Sequence, residues 1–260
     1  MLINPNIAID KECGLKIMYN RRLLVSSSPH FIKVLIFIAM DVLSAIKNRK
    51  STRAFVDQQV SPQSIGDVLD TARWAPSGAN TQPWQVAVVT GETKTNLCSA
   101  LSDAFQSNNP SNADYQYYSS PIEEPYRGRQ RRCGAALYGA LGLSRQDKVQ
   151  RRVQWLKNYF AFDAPVILFI FIDRNLEKGS WVDMGMFIQN IMLAAGGHGL
   201  QSCPQAALAE YPDIVRSHLS IPDQQSLICG IALGYSDTTT AVNQYRTERE
   251  SVDSFTSWHS

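Results

Sequence analysis

The sequence is poor in the residues that disulfide frameworks and metal centres require. Its five cysteines (Cys13, Cys98, Cys133, Cys203 and Cys229) are scattered, odd in number and never paired as C-x-x-C. That usage argues for free thiols in a reducing, cytoplasmic compartment and against a zinc site. The four histidines form neither H-x-x-x-H nor H-E-x-x-H, so no metal is expected. A net charge of +2 singles out no nucleic acid or other strongly charged partner. No apolar run reaches membrane-spanning length: "FIKVLIFIAM", residues 31–40, is too short and carries Lys33. Also missing are a P-loop, a G-x-S-x-G elbow and a G-x-G-x-x-G joining a strand to a helix. The Gly196-Gly197-His198-Gly199 run reads as a helix stop.

What is present describes an ordinary globular chain. At 260 residues, 44% hydrophobic and 18% charged, it is long enough for a sizeable buried core. Residues 1–39 carry Lys11, Lys16, Arg21 and Arg22 ahead of the apolar run, but also Asp10 and Glu12, and no clear cleavage site. Two readings stand for this extension: an arm or targeting segment, or a start assigned too early, with Met40 as the working initiator.

From Asp41, a possible helix cap, Val42, Leu43 and Ile46 share one face, and the helix fades into the basic turn "NRKSTR". In "SPQSIGDVLDTARWA", Ser61 caps, Pro62 takes the first helical position, and Ile65, Val68, Leu69 and Ala72 recur at helical spacing. Pro76 and Gly78 then break the helix. "WQVAVVTG" predicts a buried strand, and Leu97, Leu101 and Phe105 mark another helix. Residues 106–124 lack either periodicity and read as an insertion or lid-like loop.

The continuous apolar run "APVILFIFID" predicts a strand covered on both faces, and "SLICGIALGY" a last buried strand. Between them Met184, Phe187, Ile188, Ile191, Met192 and Ala195 form one helical stripe, for core or subunit contact. "YPDIVRSHL" reads as a short helix. The economical fold is one α/β (α+β) domain over residues 40–260 with three or four core strands. Eight basic residues between 127 and 152 fit a solvated helix face, or a positive rim near an anionic ligand.

Two stretches carry chemistry. "RKSTR" (49–53) sets two guanidinium forks four residues apart with hydroxyls between them, a pattern suited to a phosphate. After a capped helix, "APSGANTQPW" concentrates turn chemistry around Asn80. This pair, followed in order by "WVDMGMFIQNIMLAAGGHGLQSCPQAAL" and "ICGIALGYSDTTTAVNQYRTERE", resembles the nitroreductase family of FMN-dependent oxidoreductases from Met40 to the C-terminus. The segment "EPYRGRQRRCGAALYGALGLSRQDKVQRR" is similar to the nitrobenzoate- and nitrobenzene-reductase branch.

The resemblance implies a three-layer sandwich, a mixed sheet flanked by helices, in an interlocked homodimer with FMN at the interface. By position, Arg49, Lys50 and Ser51 would hold the FMN phosphate. Arg53 would lie by the N1–C2=O edge, where a cation stabilises the reduced flavin's charge. Pro76, Ser77, Asn80 and Gln82 would present the turn to the flavin, Asn80 meeting its pyrimidine edge with a donor and an acceptor at once. Pro204, Gln205 and Ala206 would run along the dimethylbenzene-to-N5 side. Arg249 would complete the phosphate site, with Arg246 beside it, unless these arginines only solvate the tail. Cys203 reads as structural.

The implied activity is ping-pong hydride transfer from NADH or NADPH to nitroaromatic or quinone-like acceptors. The tyrosines at 115, 117, 118 and 126, with Tyr159, Phe160 and Phe162, would line the acceptor slot or pack the core and interface. Other flavin enzymes on the same fold (a reductive dehalogenase or a flavin-cleaving oxygenase) and a flavin-storage protein are the alternatives.

Overall fold

The computed structural model describes residues 41–260; the expectations for residues 1–39 and for Met40 as the start lie outside them. Four strands form one sheet: β1 (Trp84–Val89), β2 (Val166–Asp173), β3 (Gln201–Gln205) and β4 (Gln225–Gly234), in the order β1-β2-β4-β3. All three neighbouring pairs are antiparallel. The mixed character expected of the sheet is confined to one parallel bridge, Ser51 to Ser202.

The centre of the sheet is β2 and β4, both buried almost end to end, as continuous apolar runs require when both faces are covered. On one face pack α2 (Pro62–Ala72) and α6 (Lys178–Gly197), whose Ile65, Val68, Ala72, Met184, Phe187 and Ile191 meet Leu168, Ile170 and Ile231. On the other lie α3 (Gly91–Gln106) and α7 (Pro212–Leu219), with Leu97, Leu101 and Val215 against Phe169 and Phe171. Layers of helix, sheet and helix result, as expected.

The caps follow the sequence. Asp41 accepts from the Leu43 and Ser44 N–H groups ahead of α1 (Val42–Asn48), and Ser61 accepts from Ser64 ahead of α2. Helix α6 stops at Gly197, and Gly199 takes φ +75°, a conformation that costs glycine little. Two expectations need correction. Strand β1 is a half-exposed edge paired only with β2; its only buried residue is Val89, while Trp84 stacks on Phe187 of α6 at 4.6 Å between ring centres. Strand β3 has no counterpart among the expected strands, because five residues with a proline and three polar side chains carry no apolar alternation; the other sheet edge tolerates Pro204.

The stretch between α3 and α4 (Tyr126–Ala140) has no regular structure, yet it is moored to the sheet. β3 pairs with β4 only from Gly230 onward, and the irregular segment serves the earlier part of that edge. Asp114 accepts from the Leu227 N–H at 2.8 Å, and the Tyr115 hydroxyl donates to the Ile228 carbonyl at 2.8 Å. The Asp114 carboxylate is almost wholly buried between Arg216 at 2.7 Å and Arg174 at 2.9 Å. Burial raises its pKa, but the hydrogen bonds from Arg216, Leu227 and Arg174 outweigh this and hold it below 3.8.

A depressed carboxylate stabilises the fold above its unfolded pKa, and that contribution disappears as pH falls through the folded value. Arg216→Met strands the carboxylate with one exposed cation, and urea unfolding should show a loss of about 3 kcal/mol at neutral pH. The variant should also lose part of the wild type's decline in stability below the ordinary carboxylate range. A loss under about 1 kcal/mol, the value of an exposed pair, would show that Arg216 is not the anchor.

Candidate cofactor site

After α1 the chain runs extended through residues 49–55 and is sewn into the body at several points. Ser51 bridges Ser202 of β3, the Thr52 N–H donates to the Ser202 carbonyl at 3.0 Å, and Phe55 bridges Ser236 beyond β4. At Gly234 a methyl group would come within 2.6 Å of the Pro165 ring and 3.1 Å of Phe55, so only glycine permits this close approach. From the other side Asn243, buried in the tail, clamps the same stretch. Its Oδ1 accepts from the Arg53 N–H at 2.8 Å, while its Nδ2 donates to the carbonyls of Ala54 and Asp237, both at 2.8 Å.

These bonds fix where the charged side chains go. Arg49, Lys50, Ser51 and Arg53 line one cavity of about 120 Å³ together with Tyr245, Arg246, Thr247 and Arg249 from the tail. Five cations and no carboxylate therefore face one space. The Arg49 pKa is lowered, first by burial and then by the like charges of Arg249 and Arg246. An anion in the cavity would relieve that repulsion. Lys50 donates to the Asn243 carbonyl, and Arg53 to the Tyr245 hydroxyl at 3.0 Å. Arg249 folds onto Thr247 and the Glu248 carbonyl, yet still lines the cavity.

The basic stretch contributes on one flank. Arg129 and Arg132 of α4 bind Glu250 at 2.9 and 3.0 Å, and with Arg246 and Arg249 they border a neighbouring cavity of about 510 Å³. Arg131, Arg145 and Arg151 border a separate cavity on the other flank of α4.

The second group of expected residues sits on the turn after α2. Ala79, Asn80 and Gln82 all adopt positive φ (50°, 55° and 49°), a costly backbone for non-glycine residues. Asp183 of α6 holds the turn by accepting from the Gly78 N–H at 3.1 Å, and the Ser77 hydroxyl accepts from the Gln82 N–H at 2.9 Å. The Asn80 backbone is used within the turn, its N–H reaching the Ser77 carbonyl at 3.0 Å and its carbonyl accepting from Gln82. Its exposed side-chain amide makes no hydrogen bond among the described residues, so the strained turn presents a free donor and acceptor outward. Pro76 lies beside it, exposed.

The third group lies on β3 and just past it. Gln205 is buried, and its Nε2 donates to the Asn158 carbonyl and Oδ1 at 3.0 and 3.1 Å, while its Oε1 is buried with no hydrogen-bond partner among the described residues. Pro204 and Ala206 are half-buried. Cys203 is wholly buried and its pKa is raised by burial, against the opposing influence of Arg53, so the thiol is a packing group.

No single cavity holds all three groups, but two rigid elements connect them. Helix α6 touches Arg49 through the Met192 sulfur at 4.0 Å and the Asn80 turn through Asp183. Those positions are separated by about 13 Å at 1.5 Å rise per residue. Strand β3 meets Ser51 at Ser202 and ends at Gln205, about 10 Å away at 3.3 Å per residue, with Ala206 next in the chain. Asn243 and Tyr245 were not among the expected site residues although they lie in the tail motif; the only signal they carry is that of a polar pair set close to arginines.

The chain is similar to known proteins over most of its length. Residues 46–235 match the family model described as Nitroreductase family. A 4-nitrobenzoate reductase from Pseudomonas putida is 38% identical over 217 residues, covering 83% of this chain and 94% of that protein. A chloronitrobenzene nitroreductase from Comamonas testosteroni is 37% identical over 214 residues, 82% of this chain and 94% of that protein. Among solved structures, the FMN and NADPH-dependent nitroreductase NfnB from Sphigopyxis sp. strain HMH has a TM-score of 0.83 at 36% identity, covering 85% of this chain and 100% of that one. The motifs in their order, the layered fold and these likenesses over most of its length converge, and the chain belongs to the nitroreductase family.

Proposed function

We propose that residues 40–260 form an FMN-binding domain and that the protein uses NADH or NADPH to reduce nitroaromatic and quinone-like acceptors. The observation that carries this reading is the cavity where five cations meet without a carboxylate. Its donor set fits a phosphate monoester: guanidinium forks from Arg49 and Arg249, the Lys50 ammonium and the Ser51 hydroxyl. The Asn80 turn and the end of β3, about 13 Å and about 10 Å off along rigid elements, suit the flat polar ring of the same molecule. Relatives acting on nitrobenzoate and chloronitrobenzene, and a neighbour dependent on FMN and NADPH, support the same reading.

Bound there, FMN supplies hydride chemistry that no side chain of the protein offers. The chain's own share is positional and electrostatic. Arg49, Ser51 and Arg249 bind the phosphate; Arg53, pinned by Tyr245 and by its own backbone bond to Asn243, keeps a fixed cation near the ring. Asn80 orients the pyrimidine edge. Donor and acceptor then occupy the same slot in turn, which is a ping-pong scheme.

The reading includes a homodimer and a cytoplasmic location. Helix α1 buries none of its residues and leaves Val42 and Leu43 62% exposed, while the tail exposes Phe255 and Trp258; such apolar surface fits a partner subunit. Cys98, Cys133, Cys203 and Cys229 are free thiols, and no helix among the described residues is long and apolar enough to cross a membrane.

Arg49→Ala should weaken FMN binding by a charge-assisted contact, roughly 1.5–3 kcal/mol, or about 10- to 100-fold in Kd by fluorescence titration of the apoprotein. Unchanged affinity would remove Arg49 from the phosphate site. Initial rates with NADPH and a nitroaromatic varied together should give parallel double-reciprocal lines. Intersecting lines would mean that both substrates bind at once, and the single-slot scheme would fail.

A further inference from the structure

One further cavity, of about 520 Å³, opens between the irregular segment preceding α4 and the turn after β3. The role assigned to it rests on the reductase reading and concerns the acceptor. Tyr115, Tyr117 and Tyr118 line it from the irregular segment, and Ala206, Ala209 and Glu210 from the turn after β3. Tyr115 is fixed by its bond to the Ile228 carbonyl and by edge contact with Trp181 at 4.7 Å between ring centres. Tyr117 and Tyr118 meet edge to face at 4.6 Å. Ala206 directly follows β3, so the cavity adjoins the ring end of the proposed cofactor rather than its phosphate.

Glu210 is held in place by both its side chain and its backbone. The hydroxyl of Tyr159, a fully buried residue, donates to Oε2. The Glu210 carbonyl accepts from the Asn112 N–H at 3.1 Å and the Ser111 hydroxyl at 3.0 Å. Among the described residues Oε1 has no hydrogen-bond partner, and no cation pairs with the carboxyl. Its titratable neighbours are phenols: Tyr159 after α5 (Lys148–Leu156), Tyr211 ahead of α7, and the three tyrosines of the irregular segment. Asp213 is taken up by Asn112 and Arg216, and Arg152 bears on Tyr211. Burial raises the Glu210 pKa, and the hydrogen bond from Tyr159 works in the opposite direction.

We propose that this cavity binds the electron-poor aromatic acceptor against the tyrosines, and that Glu210, positioned by Tyr159, donates the proton that nitro reduction consumes. Phenol faces are electron-rich and pair well with a nitro-substituted ring. The step balances with one hydride equivalent originating from NAD(P)H and one proton. One N–O bond breaks, the departing oxygen leaves as water, and the nitro compound becomes a nitroso compound. The carboxylate that remains is reprotonated from solvent, which half-exposed Glu210 reaches.

The test uses the FMN-loaded enzyme and compares NADPH-driven reduction of nitrobenzene with that of ferricyanide, an acceptor that takes electrons without a proton. Glu210→Gln should lower the ratio of nitrobenzene to ferricyanide turnover by about 100-fold, the scale of general-acid catalysis. Wild-type nitrobenzene turnover should fall as pH rises and Glu210 deprotonates, and Glu210→Gln should lose that limb. Tyr159→Phe removes the bond that favours the carboxylate, so its limb should remain and move to higher pH. An unchanged ratio, both acceptors falling together, or a Tyr159→Phe limb that stays in place would overturn the proposal. Failure of the parent reading would be seen separately, as a wild type that retains no FMN and reduces neither acceptor.

Discussion

The buried amide of Asn243 is the constraint on which the site depends. It satisfies the backbone of Arg53 and Ala54 on one side and of Asp237 on the other. In doing so it brings the arginines near residue 50 against those near residue 248, almost 200 positions later in the chain. Five cations sharing one cavity repel each other, and nothing in their own chemistry would assemble them. The backbone bonds around residues 51–55 and Asn243 hold them there; each is modest in net terms, about 1 kcal/mol, but leaving one of these buried groups unpaired costs more. The repulsion that remains is what an anion in the cavity would relieve.

From that point two rigid elements lead away in different directions. Helix α6 and strand β3 both lead away from the cation cluster, α6 over about 13 Å to the Asn80 turn and β3 over about 10 Å to Gln205. One end is the strained turn with the free amide of Asn80; the other is Ala206 and the tyrosine-walled cavity. Both elements belong to the core, α6 through Met184, Phe187 and Ile191 and β3 through its pairing with β4. Spacing between the groups is therefore set by packed regular structure, while the groups themselves sit on turns. Asp114 plays the corresponding part for the tyrosines, since its buried ion pairs with Arg216 and Arg174 keep an otherwise irregular segment on the sheet edge.

Much of this was legible in the sequence, and the features that were not share one physical cause. The cap of α2, the two-sided burial of β2 and β4 and the α6 stripe are local patterns, and each appears where its residues indicated. The misreadings concern partners distant in the chain. "WQVAVV" is apolar enough for a core strand, but composition cannot say that it lies at an edge. "QSCPQ" becomes a strand only because β4 offers it a ladder. Asn243, Tyr245 and Asp114 look like ordinary polar loop residues until the groups they bind, more than a hundred residues away, are in view.

The central claim, that the arginine cavity and the two elements leading from it hold one flavin, is tested most directly by the visible absorption spectrum of the purified protein. Acid release and identification of the chromophore complete the measurement. The account predicts a yellow protein whose released chromophore is FMN, in amount comparable to the chain. A colourless protein that also fails to take up added FMN would contradict it.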